Sequence, residues 1–410
     1  MFPQHWSDQS CTIENMKKIL NRDHILIQSA FYVCFAALAG FGTFMMLSRG
    51  YSAGLIGILI ALANFASIIF NYLISWLQGK HRSINAFRMS VYVSLILLLL
   101  YIGNAFFAEP SLALSLDYLL CIALTFSLVP LIESLNSTLI KNGVDIHFGV
   151  ARSFGSLSFG ISCIVFGYIA SGAGWRAIAW LLVIFQVLLI LFLALTAKHF
   201  DQIDKIEETP EERETIGFRG FLGSHRAFFL TCLGYAGLMG CFGLIMENFL
   251  LPILQSVGGT AVDNGIVQGI KAFIEVPFIF CFHLIERRYA LRPIFVVAVA
   301  SFIVKCVIMF AARSVVPIYA SQILQGTSLA LLLPAFVSYI NRIMKRNEIA
   351  LAYALQAMCL TAVQMLLNAF GGYVLDLYGV RSLVMLATVL TALSGFLLLR
   401  FLQPEADKKA

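Results

Sequence analysis

The segment HILIQSAFYVCFAALAGFGTFMMLS, residues 24–48, decides the fold. An α-helix satisfies its own backbone hydrogen bonds and crosses ~30 Å of hydrocarbon in ~20 residues, so this 25-residue apolar run reads as a membrane span. A 23-residue stretch carrying Lys17, Lys18, Arg22 and Asp23 precedes it. The run is too long for the apolar core of a cleaved signal, which has about 7–15 residues, and is expected to remain in place.

Eleven further apolar stretches follow, at 53–77, 87–108, 113–139, 148–173, 176–197, 227–256, 263–285, 292–313, 316–340, 349–374 and 379–402. The whole 410-residue chain is 60% hydrophobic and 12% charged, with a mean hydropathy of +0.87. Soluble domains carry about 25% charged residues because their surface faces water. Half that proportion excludes a soluble globular protein, and the apolar runs that fill the chain from His24 onward exclude a disordered chain, a disulfide scaffold and, despite the net charge of +6, a nucleic-acid-binding domain. The lipid bilayer is the expected solvent. The nine cysteines, Cys11 to Cys359, form no CxxC or Cys/His cluster, so no metal is expected, and eight lie inside apolar segments as small hydrophobes.

Charge sets the orientation. Of the 28 Lys and Arg, 21 fall in the N-terminal segment, the even-numbered loops and the tail. The odd-numbered loops hold only Arg49, Arg176, Arg313 and Arg381. Short basic loops stay cytoplasmic, so both termini are expected in the cytoplasm of a cell (plasma or inner) membrane protein. The polar interruption at 198–226, with its run DQIDKIEETPEERE (201–214), is too charged to span. It reads as a cytoplasmic linker, either a solvated tether or a regulatory segment. The expected organisation is a segment 1–23, a six-helix bundle 24–197, the linker 198–226, a second six-helix bundle 227–402 and a tail 403–410.

Two gapless offsets relate the halves. An offset of 208 carries Gly57 onto Gly265 and Lys80 onto Arg288. An offset of 205 carries Gly167 onto Gly372, Gly174 onto Gly379 and Arg176 onto Arg381. Internal repeats of this kind build many transporter folds, here an all-α membrane protein with twelve transmembrane helices in two pseudo-twofold bundles.

An ionisable group at membrane depth is costly unless paired or hydrated, so each is a functional candidate. Six are read inside the spans: Glu133 in the fourth, Arg152 in the fifth, Glu247 in the seventh, Lys271 and Glu275 in the eighth and Lys305 in the ninth. Counting ~1.5 Å per residue puts Glu133 and Arg152 at similar depth in adjacent antiparallel spans, where they are expected to pair. Glu275 and Lys305 also match in depth, with Lys271 one turn from Glu275. These clusters read either as solute-recognition and coupling groups or as staples that neutralise one another.

PLIESLNS (130–137) followed by FGVARSFGSLSFG (148–160) resembles the fourth- and fifth-helix signature of the lactose permease branch of the major facilitator superfamily, with its oligosaccharide and nucleoside proton-symporter relatives. GYSAGLIG (50–57), MENFLLPIL (246–254) and FIEVPF (273–278) resemble further segments of that branch. The resemblance implies that Glu133 and Arg152 contact sugar hydroxyls, that Phe159 stands where a tryptophan stacks on the sugar ring, and that Glu275 and Lys305 serve proton coupling. Glu247, Lys271 and Gln325 would complete the substrate site. Gln325 and Ser328 occupy the tenth-helix positions of the permease's titrating histidine and glutamate, and neither titrates. The loop SWLQGKHR (75–82) keeps the superfamily motif's basic residues without its aspartate.

The reading is a secondary active transporter of a small polar solute coupled to protons (or sodium), without cofactor and monomeric. A drug/proton antiporter and a non-transporting membrane sensor are the alternatives. No HExxH, GxSxG or phosphate-binding loop supports an enzyme.

Overall fold

A computed structural model describes residues 5–81, 84–142, 144, 148–201, 218–345 and 348–403. Most of the expected linker and all but the first residue of the expected tail lie outside these residues. The described chain is helical: α1 (His5–Phe35), α2 (Phe41–Leu47), α3 (Ala53–Lys80), α4 (Ala86–Phe106), α5 (Leu112–Lys141), α6 (Phe148–Phe200), α7 (Phe218–Ser224), α8 (Arg226–Gly243), α9 (Leu250–Gln255), α10 (Ala261–Arg288), α11 (Leu291–Ala311), α12 (Val315–Ser321), α13 (Leu329–Ile343) and α14 (Ile349–Phe401).

Local chemistry starts these helices where the apolar runs begin. The side chains of Ser52, Asn85 and Ser111 accept from the amides of Leu55, Arg88 and Leu114, satisfying first-turn donors of α3, α4 and α5. Thr260 and Asp263 cap α10 reciprocally in a capping box. No break in the helix marks the expected boundary after residue 23, since α1 runs continuously from His5. Residues 5–23 contain neither Gly nor Pro to stop a helix, and Asp23 Oδ2 meets His199 Nδ1 of α6 at 2.8 Å.

Ten helical stretches among the described residues are long and apolar enough to cross a membrane. Two of these, Ala151–Phe200 and Ile349–Phe401, have 50 and 53 residues. At ~1.5 Å per residue each is more than twice as long as a bilayer core is thick. Each is two helices joined at a glycine in the left-handed region, Gly174 (φ 73°) and Gly379 (φ 78°). These are two of the positions that the offset of 205 superimposes.

The offset of 208 extends into the backbone itself. A π-helical turn at Ala36–Gly40 joins α1 to α2, and another at Leu244–Asn248 lies between α8 and α9. A π turn carries one extra residue and marks functional sites more often than chance. The two turns are 208 residues apart, and they touch. Their carbonyls find donors on α10: Asn264 Nδ2 reaches Gly40 O at 3.0 Å and Gln268 Nε2 reaches Met246 O at 3.2 Å.

Buried apolar residues gather in two clusters. One runs from Leu20 to Phe200 with Ala261 added, and the other from Phe221 to Leu398 with Ala53 added. The two intruders mark two seams, α3 against α14 and α6 against α10, where backbones approach through glycine. A Cβ on Gly57 would lie 2.2 Å from Asn368 O, and one on Gly265 would lie 2.3 Å from Cys163 O. Gly372 and Gly167 present the reciprocal faces, against Ala53 O and Ala261 O. The four glycines matched by the repeat therefore meet as two pairs across the seams.

The seams differ in how their helix ends are finished. At α3 the amides of Ala53 and Gly54 donate to Asp376 Oδ1 (3.0 Å) and Oδ2 (2.6 Å) on α14. At α10 the capping carboxylate, Asp263, belongs to the helix itself, and it also accepts from Tyr319 Oη.

Candidate functional site

Where the π turns meet there is a cavity of about 40 Å³. Phe35, Thr43, Tyr118 and Thr125 line it from one half, and Glu247 and Asn248 from the other. A π turn re-aims the side chains after it, which is why Glu247 points here and reaches Lys271 at 3.4 Å. Lys271 is almost fully enclosed, while the Glu247 side chain is 42% exposed. An ammonium is thus held in place beside a carboxylate that still faces space.

Aromatic rings carry the charges across the two halves. Lys271 Nζ lies 5.2 Å from the ring centroid of Phe242 and 5.8 Å from that of Phe159. Phe159 packs on Phe35 (6.2 Å), which in turn packs on Phe126 (6.1 Å). Lys305, buried on α11, donates to Gln325 Oε1 at 2.6 Å and lies 5.5 Å from the Phe242 ring centroid. Cation–π contacts offset part of the cost of burying an ammonium without a carboxylate partner.

The expected pairings are re-dealt. Arg152 bonds Ser156 Oγ (3.0 Å) on its own helix and stacks 4.5 Å over Tyr32, and it makes no ion pair with Glu133 within 4 Å among the described residues. Equal depth fixes height along a helix but not azimuth about it. Glu133 is exposed and Glu275 half-buried. Glu275 likewise pairs with neither Lys271 nor Lys305, because Glu247 and Gln325 take those partners. Gln325, expected to face solute, holds Lys305, and Asn248 holds Asn368 Oδ1 at 2.7 Å.

Tyr32, Tyr118, Thr43, Thr125 and Phe35 were not legible as site residues, being common types within apolar runs. Arg49, read from sequence only as a loop charge, is buried with Asn104 and with Asp117, which the search for charges inside the spans passed over. Arg49 Nη1 and Nη2 reach Asn104 Oδ1 (both 3.0 Å), its guanidinium lies 3.8 Å over Trp175, and Asn104 Nδ2 donates to Asp117 Oδ2 at 2.9 Å. Among the described residues no group of three His, Cys, Asp or Glu could hold a metal ion.

The family model described as the MFS_1 like family matches residues 24–386. The chain is 24% identical over 322 residues to the "Uncharacterized transporter YwbF" of Bacillus subtilis (strain 168), covering 75% of each chain. Its fold is similar to that of a mutant form of the nucleoside transporter NupG, with a TM-score of 0.79 and 15% identity, covering 94% of this chain and 100% of that one. It is also similar to a bacterial homolog of the human lysosomal transporter Spinster in an inward-facing, unoccupied conformation (TM-score 0.65, 14% identity, 95% and 99% covered).

Proposed function

This chain belongs to the MFS_1 like family and is a multi-pass transporter of the major facilitator type, not an enzyme; from that premise we propose that it moves a sugar, oligosaccharide or nucleoside by proton-coupled symport. Dividing the two long helices at Gly174 and Gly379 gives twelve crossings, six in 24–197 and six in 227–402, joined by the 198–226 linker. Both termini face the cytoplasm of the cell membrane in this reading, because the basic residues crowd that side.

The observation that carries the proposal is the Glu247–Lys271 pair opening into a cavity whose opposite wall is Tyr118 and Thr125. A half-exposed carboxylate, hydroxyls and aromatic faces are the groups that bind a polyhydroxylated ring; the present space holds only a few waters, so the two halves that share it must part to admit the solute, as alternating access requires. A thermal-shift screen of purified protein tests it, since a ligand of the folded state raises the melting temperature. Sugars or nucleosides should stabilise the protein. Stabilisation by cationic drugs alone would replace the proposal with drug/proton antiport.

Arg152→Lys keeps the charge and removes the planar fork and its stacking on Tyr32. The protein should fold normally while solute binding weakens roughly tenfold or more, a factor of ten being ~1.4 kcal/mol. Normal binding by this variant would leave Arg152 a staple of α6.

Glu275 is the proposed proton carrier, a carboxylate at membrane depth without an ion-pair partner within 4 Å among the described residues. Glu275→Gln should abolish accumulation against a gradient while downhill exchange survives. Continued uphill transport would move the coupling role to Glu247 or to sodium.

A further inference from the structure

The internal repeat shows what one half has lost. In the first half, Arg49, Asn104 and Trp175 form a buried plug, with Arg49 only 4% exposed. The offset of 208, shared by the π turns and by the ends of α2 and α9, carries Arg49 onto Val257. The offset of 205, shared by α4 and α11 at both ends and by Gly174 and Gly379, carries Asn104 onto Met309 and Trp175 onto Val380. All three successors line one cleft of about 790 Å³ in the second half. Two valines, much smaller than the arginine and tryptophan they replace, and an apolar methionine have taken the place of the plug.

The cleft keeps its charge. Arg381, the repeat partner of Arg176, lines it together with Arg313, so two of the four Lys and Arg in the odd-numbered loops converge there. Both are exposed, and neither makes an ion pair within 4 Å among the described residues. Arg381 lies 5.4 Å from the Phe310 ring centroid. No Asp or Glu lines the cleft, and the nearby carboxylate of Asp376 is occupied by Ala53 and Gly54. Tyr378 and Leu377 beside it are exposed, as expected of side chains at a lipid interface.

We infer that this cleft binds an acidic phospholipid, its phosphate on Arg313 and Arg381 and an acyl chain along the accessible surfaces of Val257, Phe310, Tyr378 and Val380. Guanidinium forks match phosphate oxygens, but exposed ones compete with water and hold a free anion weakly. An acyl chain adds apolar burial along the wall, which selects the lipid over inorganic phosphate. The inference does not rest on the transport reading.

The full chain, purified in detergent and depleted of lipid, is titrated with dioctanoyl phosphatidylglycerol and followed by melting temperature. A saturable rise is expected, and dioctanoyl phosphatidylcholine and inorganic phosphate should give none. R313Q with R381Q should leave the lipid-free melting temperature unchanged, because both side chains are exposed, and should weaken phosphatidylglycerol binding roughly tenfold or more. Val257→Phe, which narrows the cleft without touching either arginine, should weaken it as well. Equal binding of phosphatidylcholine, an equal shift with inorganic phosphate, or wild-type affinity in the arginine double variant would each overturn the inference.

Discussion

Gly57→Leu combined with Gly265→Leu should leave the protein folded but unable to close its seams, and transport should fall on the order of 100-fold. A Cβ alone would lie 2.2 Å from Asn368 O at one seam and 2.3 Å from Cys163 O at the other, and both obstacles are backbone. Overpacking of this kind costs about 1–3 kcal/mol per site, and two such costs shift a closed-to-open ratio by roughly the stated factor. Each half keeps its own core, because the glycines lie between the clusters and not within them. Maleimide labelling of Cys163, fully buried beside the Gly265 seam, is the direct readout once the exposed Cys281 and the Cys11 of the polar N-terminal stretch have been changed to Ser. The rate should rise roughly tenfold or more, in line with the population shift. Unchanged labelling together with intact transport would mean that the seams are fixed packing and not a moving gate.

Arg49→Ala should be the most destabilising single change in the first half, by about 3–5 kcal/mol, because removing one member of a buried charged network strands the others. Asn104 loses its guanidinium partner and Asp117 keeps only the Asn104 amide and the weak Cys121 thiol. A slot also opens over Trp175. Burial pulls the Arg49 guanidinium down to about 10 while Asp117 opposes the shift, so it stays charged at neutral pH. Chemical unfolding in detergent measures the loss, and Arg49→Lys should fall between wild type and alanine, retaining charge without the fork. A change under about 1 kcal/mol, the range of exposed ion pairs, would show that the plug contributes no more than a surface salt bridge.

Much of the architecture was legible because membrane-spanning helices declare themselves by length and hydropathy. The run 53–77 became Ala53–Lys80 and 87–108 became Ala86–Phe106, with caps at Ser52 and Asn85 that any reader of helix starts recognises. The matched glycines were legible too, though not their meeting across the seams, which is a fact of tertiary packing. The site was less legible. Depth arithmetic assumes an unbroken helix of 3.6 residues per turn, and each π turn adds a residue and rotates everything beyond it. Glu247 sits in such a turn and pairs with Lys271, whereas Glu275 lies on the unbroken α10, where equal depth with Lys305 leaves the azimuth, and so the pairing, undetermined. The tenth expected span, 316–340, hid a similar break, a 3₁₀ segment at Gln322–Gln325 that presents Gln325 to Lys305.

The carboxylate of Asp376 finishes a helix that belongs to the other half of the molecule. Parting that seam leaves two amide protons of α3 to solvent and a bare anion on α14, whereas α10, capped by its own Asp263, comes away whole. The internal repeat thus relates two seams whose helix ends are finished unequally. One side parts with the loss of the Asn264–Gly40 hydrogen bond between neutral groups, and the other with the loss of two amide bonds to a carboxylate, so the molecule's symmetry in shape is not a symmetry in work.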